Sequence, residues 1–178
     1  MLVALALTLA AVFGGADQYL GSLSAHPWAA DVSLLSAPWL AIAFLAGCTQ
    51  RSPRRAAALG FACTAAALLG YAAMTLSPAE NAHLTATTLA GFLRSERLVL
   101  AGGIVTGPLF GWFGQQWRVR RAVLGAAITA LAICLEPAVR IPARREIRSL
   151  TVALVEAAVG VAALAYITAA SRRRGTAR

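Results

Sequence analysis

The sequence predicts an all-α fold, an integral membrane bundle of six transmembrane helices, and three observations support this prediction. Hydrophobic residues make up 59% of the 178-residue chain and charged residues only 13%, whereas a soluble domain has about 45–50% apolar and about 25% charged residues. Six apolar runs are long enough to cross a bilayer. Ten of the sixteen basic residues, all of them arginine, fall into three short clusters that contain no acid.

The six apolar runs follow one another with short connections. They cover residues 1–19, 32–49, 56–76, 98–117, 122–139 and 149–171. At about 1.5 Å per residue, helices of this length match the roughly 30 Å hydrocarbon core. We therefore predict one six-span transmembrane domain over residues 1–171 and a basic cytoplasmic tail over residues 172–178. The first run, with Gly15-Ala16 at its end, also resembles a cleavable signal peptide, although no Lys or Arg precedes it.

The arginine clusters predict the orientation of the chain. They comprise Arg51, Arg54 and Arg55; Arg118, Arg120 and Arg121; and Arg172, Arg173, Arg174 and Arg178. Cytoplasmic loops carry an excess of Lys and Arg, so we place all three clusters and both termini inside, in the plasma membrane. The outer loops then balance six acids against six arginines. A net charge of +9 also fits nucleic-acid binding, but basic patches of that kind lie on soluble domains, and we predict no nucleic-acid partner.

The longest outer loop, residues 77–97, has the pattern of a short helix lying at the membrane interface. Ser77-Pro78-Ala79-Glu80 matches a capping box, with Ser at the N-cap, Pro at the first helical position and Glu at the third. Small and apolar residues then recur at helical spacing, as in an amphipathic interfacial helix.

Three charged residues are the candidates for a site inside the bundle. Glu156 lies within the last apolar run, Glu136 lies near the end of the fifth, and Arg140 follows Glu136 by one helical turn. A charge in lipid is expensive and is a functional hypothesis by default. These residues would then line an outward-open cavity and bind a cation, a proton or a polar solute. The alternative is an ion pair that fixes the helix register, with Arg140, Arg97 or Arg144 as the partner.

The fourth apolar run carries glycines four residues apart. Gly103, Gly107 and Gly111 form a double GxxxG row that predicts close helix packing. Pro108 should break the backbone hydrogen bonding in the middle of this helix. A broken helix marks the binding site of some transporters, which is the functional alternative to tight packing with a kink.

The sequence carries no signal for a metal, a cofactor or a soluble-type active site. The three cysteines lie in or beside apolar runs without CxxC spacing, and both histidines lie in predicted outer loops without partners at metal spacing. Phosphate-loop, HExxH and nucleophile-elbow motifs are absent. We predict no cofactor and no enzymatic activity. An intramembrane enzyme is a third hypothesis, ranked after the two functions given at the end of this section.

Short motifs along the first half of the chain resemble a family of small actinobacterial multi-pass membrane proteins, a domain of unknown function. They are chiefly Ser36-Ala37-Pro38-Trp39 and Phe44-Leu45-Ala46-Gly47, followed by Arg54-Arg55-Ala56 and Gly70-Tyr71. The resemblance implies fold and location and no activity. A looser likeness is to the substrate-binding subunits of energy-coupling-factor vitamin transporters, in which small residues on the first helix dock a partner. Ala6, Ala10 and Gly14 would form such a row.

Two functions remain open at this stage. The first is binding or transport of a small solute, with Glu136, Arg140 and Glu156 in the outer half of a cavity. The alternative is a membrane scaffold or assembly partner whose buried charges are structural. Either reading places the chain in the lipid bilayer, with a membrane protein partner or a homo-oligomer as an expected assembly.

Overall fold

The computed structural model describes residues 2–23, 25–140 and 149–175, and all regular secondary structure in this part of the chain is helical. Its α-helices are α1 (Leu2–Ser22), α2 (Pro27–Ser33), α3 (Ala37–Cys48), α4 (Pro53–Thr75), α5 (Ala86–Ser95), α6 (Arg97–Val119), α7 (Val123–Arg140) and α8 (Leu150–Gly175). A single 3-10 turn covers Pro78–Glu80. The described residues form no strand, so the all-α class is confirmed.

Four helices, α1, α4, α6 and α8, are each long and apolar enough to cross a membrane. The pair α2 and α3 meets the same criteria together, as one span bent by 45°. Helix α7 is apolar over Val123–Val139 but shorter than the other candidate spans. Each of the six predicted runs therefore contains helix, and four or five of the resulting elements have the length of a full crossing.

The second predicted span, residues 32–49, is wrong as a single helix. Helix α2 begins earlier, at Pro27, and stops at Ser33, and α3 starts again at Ala37. Proline at position 38 has no N–H, so it cannot bond to the carbonyl of Leu34 as a continuous helix requires. The freed backbone groups of Ser36 and Ala37 bond elsewhere, as described below.

The predicted capping box at Ser77 is also wrong. The Ser77 hydroxyl donates to the carbonyl of Met74 at 2.7 Å, and Pro78–Glu80 forms a 3-10 turn that ends at Asn81 with φ 54°. Helix α5 begins only at Ala86, where Thr85 and Thr88 form a reciprocal capping box. The outer segment does hold a short helix, but its cap lies eight residues after the predicted one.

Helices α1, α3 and α4 form one core, and α6 packs against α3 and α4. Ala10, Ala46, Leu59, Cys63 and Ala67 form the buried centre of this core. Helix α6 runs without interruption through Pro108, so the broken helix, the functional alternative to tight packing at this position, does not form. Because α6 is continuous, the only broken span among the described residues is the α2–α3 pair.

A second, smaller core joins α7 and α8. Ala126, Ala130 and Ile167 are its buried residues. The two helices approach closely at Gly160, where an added Cβ would lie 2.6 Å from the Cα of Cys134. Helix α3 lies between the two cores, because Phe44 packs on the second core and Ala46 belongs to the first.

Candidate functional site

A cavity of about 400 Å³ lies between the broken span, α7 and α8. Its lining comprises Val32, Leu35, Ala37, Pro38, Ala41, Ile133, Thr151, Val152, Val155, Glu156 and Val159. Among these described lining residues, only apolar atoms are exposed on the cavity wall. Ligand pockets in proteins have volumes of roughly 300–1,000 Å³ and mostly apolar walls, so this cavity has the dimensions of a small-molecule site.

Glu156 lies at the inner wall of the cavity and is only 5% exposed. Both carboxylate oxygens are buried in the protein, so its hydrocarbon stem, rather than its charge, faces the cavity. Its helical neighbour Gly160, one turn on, contacts α7. Glu156 therefore points into the bundle, between α8 and its neighbours.

Glu136 binds the start of α3. Its carboxylate accepts the backbone N–H of Ser36 at 2.6 Å and of Ala37 at 2.9 Å. These are the groups that the proline at position 38 leaves at the helix start. A carboxylate at a helix N-terminus also interacts favourably with the positive end of the helix dipole. Glu136 thus holds the broken span in place next to the cavity.

Asp31 makes the corresponding contact at the start of α8. It is 2% exposed, and its carboxylate accepts the backbone N–H of Ser149 at 2.5 Å. An acid of α2 thus caps α8, and an acid of α7 caps α3. Sequence reasoning had placed Asp31 in an outer loop and missed this contact, because no local pattern signals a partner 118 residues away.

Arg118 binds the opposite end of α3. Its guanidinium donates to the carbonyl of Cys48, the last residue of that helix, at 2.9 Å. Cations are favourable at a helix C-terminus. Helix α3 is therefore held by an acid at its N-terminus and by an arginine at its C-terminus, each supplied by a different neighbouring helix.

Arg140, the third residue of the predicted site, ends α7, and its side chain lies outside the described part of the structure, as does Arg144. Glu136 and Glu156 both lie at the cavity region, Glu156 in its wall and Glu136 bonded to the lining residue Ala37. The structure thus brings Glu136 and Glu156 to one region from α7 and α8.

The predicted packing glycines lie away from the cavity, on the face of α6 that contacts α4. An added Cβ would lie 3.0 Å from a methyl of Leu68 at Gly103, 2.8 Å from the Thr64 hydroxyl at Gly107, and 2.5 Å from the Ala56 carbonyl oxygen at Gly111. Real Cβ atoms do not approach other atoms as closely as the last two distances. The row allows close contact between two backbones and leaves no space for a ligand.

The small residues of α1 have the same use. Ala10 is 1% exposed and belongs to the first core, and Ala6 packs against that core. A Cβ at Gly14 would overlap the carbonyl of Ala67 in α4. The row that would dock a partner in the transporter-like interpretation is therefore occupied within the chain itself.

A third buried acid, Asp17, lies in the second half of α1. Asp17 is 5% exposed, and the Trp39 indole forms a side-chain hydrogen bond to it. Trp39 also contacts Phe13 at a ring-centroid distance of 5.4 Å and Tyr71 at 6.3 Å. Sequence reasoning counted Asp17 among the acids of the outer side, at the end of the first run, and missed its contact with Trp39, because no local pattern signals a partner in another helix.

No group of three His, Cys, Asp or Glu side chains in the described ranges could hold a metal ion. The three cysteines are free, and the Cys48 thiol donates to the Gly114 carbonyl at 3.2 Å. The chemistry available at the described wall of the cavity is therefore that of apolar contact.

Comparison with known proteins gives one match. A protein-family model described as a family of unknown function, DUF6518, matches residues 1–178. No curated protein and no solved structure matches the chain.

Proposed function

The chain belongs to DUF6518, a family of unknown function, and we propose that it is a multi-pass membrane protein that binds a small molecule in the cavity between α2, α3, α7 and α8. The observation that carries this proposal is the cavity itself. Helix packing elsewhere in the bundle brings backbones into contact, whereas here about 400 Å³ stays open beside a broken span. Broken helices and cavities occur together at the binding sites of transporters.

We further propose six crossings with both termini cytoplasmic, in the plasma membrane. Two contacts support a common side for the first two arginine clusters, because Gln115 donates to the carbonyl of Arg51 at 3.0 Å and Arg118 donates to that of Cys48. The contacts of Glu136 lie at the other ends of α3 and α7, and the Asp31 contact lies at the start of α8. In this proposal α2 and α3 form one broken crossing, and α7 crosses as a short helix.

Cysteine labelling in intact cells tests this topology. A single cysteine at Arg120, between α6 and α7, should be protected from a membrane-impermeant maleimide, and one at His83 should react. The native cysteines are replaced by alanine in both variants, and cells opened with detergent give the maximum labelling. Reaction of the Arg120 variant from outside would contradict the orientation.

A thermal-unfolding screen in detergent tests binding. The purified protein is screened against vitamins, metal ions and lipids, and the same compounds are tested on Ala41→Phe, which fills the cavity from α3. The matched control is Ala158→Phe, an exposed position of α8 outside the lining. A compound that stabilises the wild type and the control, but not Ala41→Phe, binds in the cavity. Equal stabilisation of all three proteins would place binding elsewhere.

A membrane scaffold or assembly partner is the second candidate, and the buried acids favour it. Glu136 and Asp31 each bind a helix start, which is a structural use of charge. A scaffold predicts that Glu156→Gln lowers the unfolding temperature while no compound in the screen shifts the wild type. Neither proposal includes catalysis, since the cavity wall exposes no polar atom that could act on a substrate.

A further inference from the structure

The exposed residues of the cavity wall indicate what lies against the cavity. Val155 and Val159 line the cavity and are 59% and 54% exposed, whereas Ile133 on the opposite wall is 9% exposed. Both valines belong to the part of α8 that is apolar enough to span a membrane. In a bilayer this opening would face hydrocarbon rather than water.

The cavity also has the length of a lipid chain segment. Along α8 its lining runs from Thr151 to Val159, about 12 Å at the rise of an α-helix. Half of a hydrocarbon core of ~30 Å is ~15 Å. The opening thus covers most of the depth of one leaflet, beginning at the helix end where Asp31 caps α8.

The wall chemistry excludes a polar occupant in this conformation. The carboxylate oxygens of Glu156 are buried in the protein and do not reach the cavity surface. A polar group placed against an apolar wall loses its hydrogen bonds to water without replacement, which costs free energy. A hydrocarbon chain loses nothing of this kind and gains close van der Waals contact.

We infer that the cavity holds a hydrocarbon chain of a bilayer lipid, which enters sideways from the membrane past Val155 and Val159. This inference rests on the proposed function, which requires only that a small molecule binds in the cavity. It changes the ligand class expected from the sequence, a cation or a polar solute near Glu136 and Glu156, to an acyl chain. The lipid head group then lies at the rim, near the first turns of α3 and α8.

Photocrosslinking in vesicles tests the inference. The protein is reconstituted in phosphatidylcholine vesicles that contain a phosphatidylcholine with a diazirine in the middle of one acyl chain. After irradiation, adducts are mapped by mass spectrometry. We expect adducts on Ile133, because this side chain is buried from the general lipid surface and is reached through the cavity. Val159→Trp should reduce the Ile133 adduct severalfold.

Val161→Trp is the matched control, because Val161 is 56% exposed on the same helix and does not line the cavity. Ala41→Phe fills the cavity from the α3 side. It replaces Val159→Trp as the blocking variant if circular dichroism shows that Val159→Trp has lost its helical structure. An Ile133 adduct that persists in both blocking variants, or is absent in the wild type, would overturn the inference.

A parallel reaction with a short water-soluble diazirine alcohol separates the inference from the proposed function. If only the alcohol labels Ile133, and Ala41→Phe removes that label, the cavity binds a small polar molecule and the lipid inference fails alone. If neither probe labels Ile133, the lipid inference and small-molecule binding in this cavity both fail.

Discussion

The two sides of this bundle are held together by different contacts. Between α1, α4 and α6, glycines bring one backbone against the next, as at Gly14 against Ala67 and Gly111 against Ala56. On the side of α2, α7 and α8, one glycine contact joins α8 to α7, at Gly160. There, in addition, acids bind helix starts across the bundle, Glu136 at the start of α3 and Asp31 at the start of α8. The cavity lies on this second side.

The difference indicates which side can accommodate a ligand. Backbone contact through glycine leaves no side chain that could move aside, and packed interiors respond to small volume changes. Where a carboxylate bonds to a helix start, the space between the two helices is filled by side chains. Valine and alanine side chains in that space can adjust around a bound molecule. Helix α3 belongs to both sides, since Gly47 contacts Gly111 of α6 while Ala37 and Ala41 line the cavity.

The largest expected effect is on the glycine side. Gly111→Val should destabilise the protein by about 3 kcal/mol or more, because a Cβ there lies 2.5 Å from the Ala56 carbonyl oxygen and overpacking forces backbones apart. Thermal unfolding in detergent and the yield of monodisperse protein measure the loss. Gly102→Val is the control, because a Cβ at Gly102 has no neighbour within 4 Å. Similar losses for both variants would mean that valine harms α6 by itself.

Loss of the acid at the start of α3 should have the next largest effect. Glu136→Gln should lower the free energy of unfolding by about 2 kcal/mol, because hydrogen bonds to a charged group contribute roughly 1.5–3 kcal/mol. The glutamine oxygen can accept only one of the two backbone N–H groups, and its NH2 group would face the other. Hydrogen exchange at Ser36 and Ala37 should accelerate. Glu96→Gln is the control, since Glu96 occupies the N-cap of α6 without a side-chain capping bond. Unchanged exchange at both amides would contradict the capping role.

A smaller effect is expected in the segment outside both cores. Thr85→Ala should cost about 1 kcal/mol, the usual loss for an N-cap, and should increase hydrogen exchange in the first turn of α5. Thr85 accepts the N–H of Thr88 at 3.2 Å, and the Thr88 hydroxyl accepts the N–H of Thr85 at 2.9 Å. Thr87→Ala removes the same side chain one position before Thr88 and should leave exchange unchanged. If the two variants exchange alike, the capping box does not stabilise this helix.

Local chemistry made the helices predictable, and long-range contacts explain most of the errors. An apolar run of bilayer length forms helix because its own backbone satisfies its hydrogen bonds, so the six runs could be located from composition. At the break before α3, the exposed backbone N–H groups bond to Glu136, which is 99 residues from Ala37. A proline within an apolar run is ambiguous, since α6 continues through Pro108 whereas the second span stops before Pro38. Which outcome occurs depends on whether a neighbour can bind the freed N–H groups.

The candidate site was predictable only in part for the same reason. An acid in an apolar run is conspicuous, and Glu136 and Glu156 could be named from that alone. The carbon-lined wall between them is a property of the spacing of four helices, and Asp31 acquires its role only when Ser149 lies beside it. Local competition explains the misplaced cap, where Ser77 bonds back to Met74 and Thr85 caps α5 instead.

The smallest expected effect is at the C-terminus of α3, where the two sides meet. Arg118→Gln should cost about 0.3–1 kcal/mol, because Arg118 is exposed and a surface cation at a helix C-terminus contributes no more than that. The loss should shrink as salt screens the charge, whereas the loss for Glu136→Gln should persist because its two hydrogen bonds are short and the one from Ala37 is partly buried. Arg120→Gln, two residues on, is the control in the same thermal unfolding series from low to high salt. A large, salt-independent loss for Arg118→Gln would show that the Cys48 contact is as structural as the acid contacts around the cavity, and the contrast between the two ends of α3 would disappear.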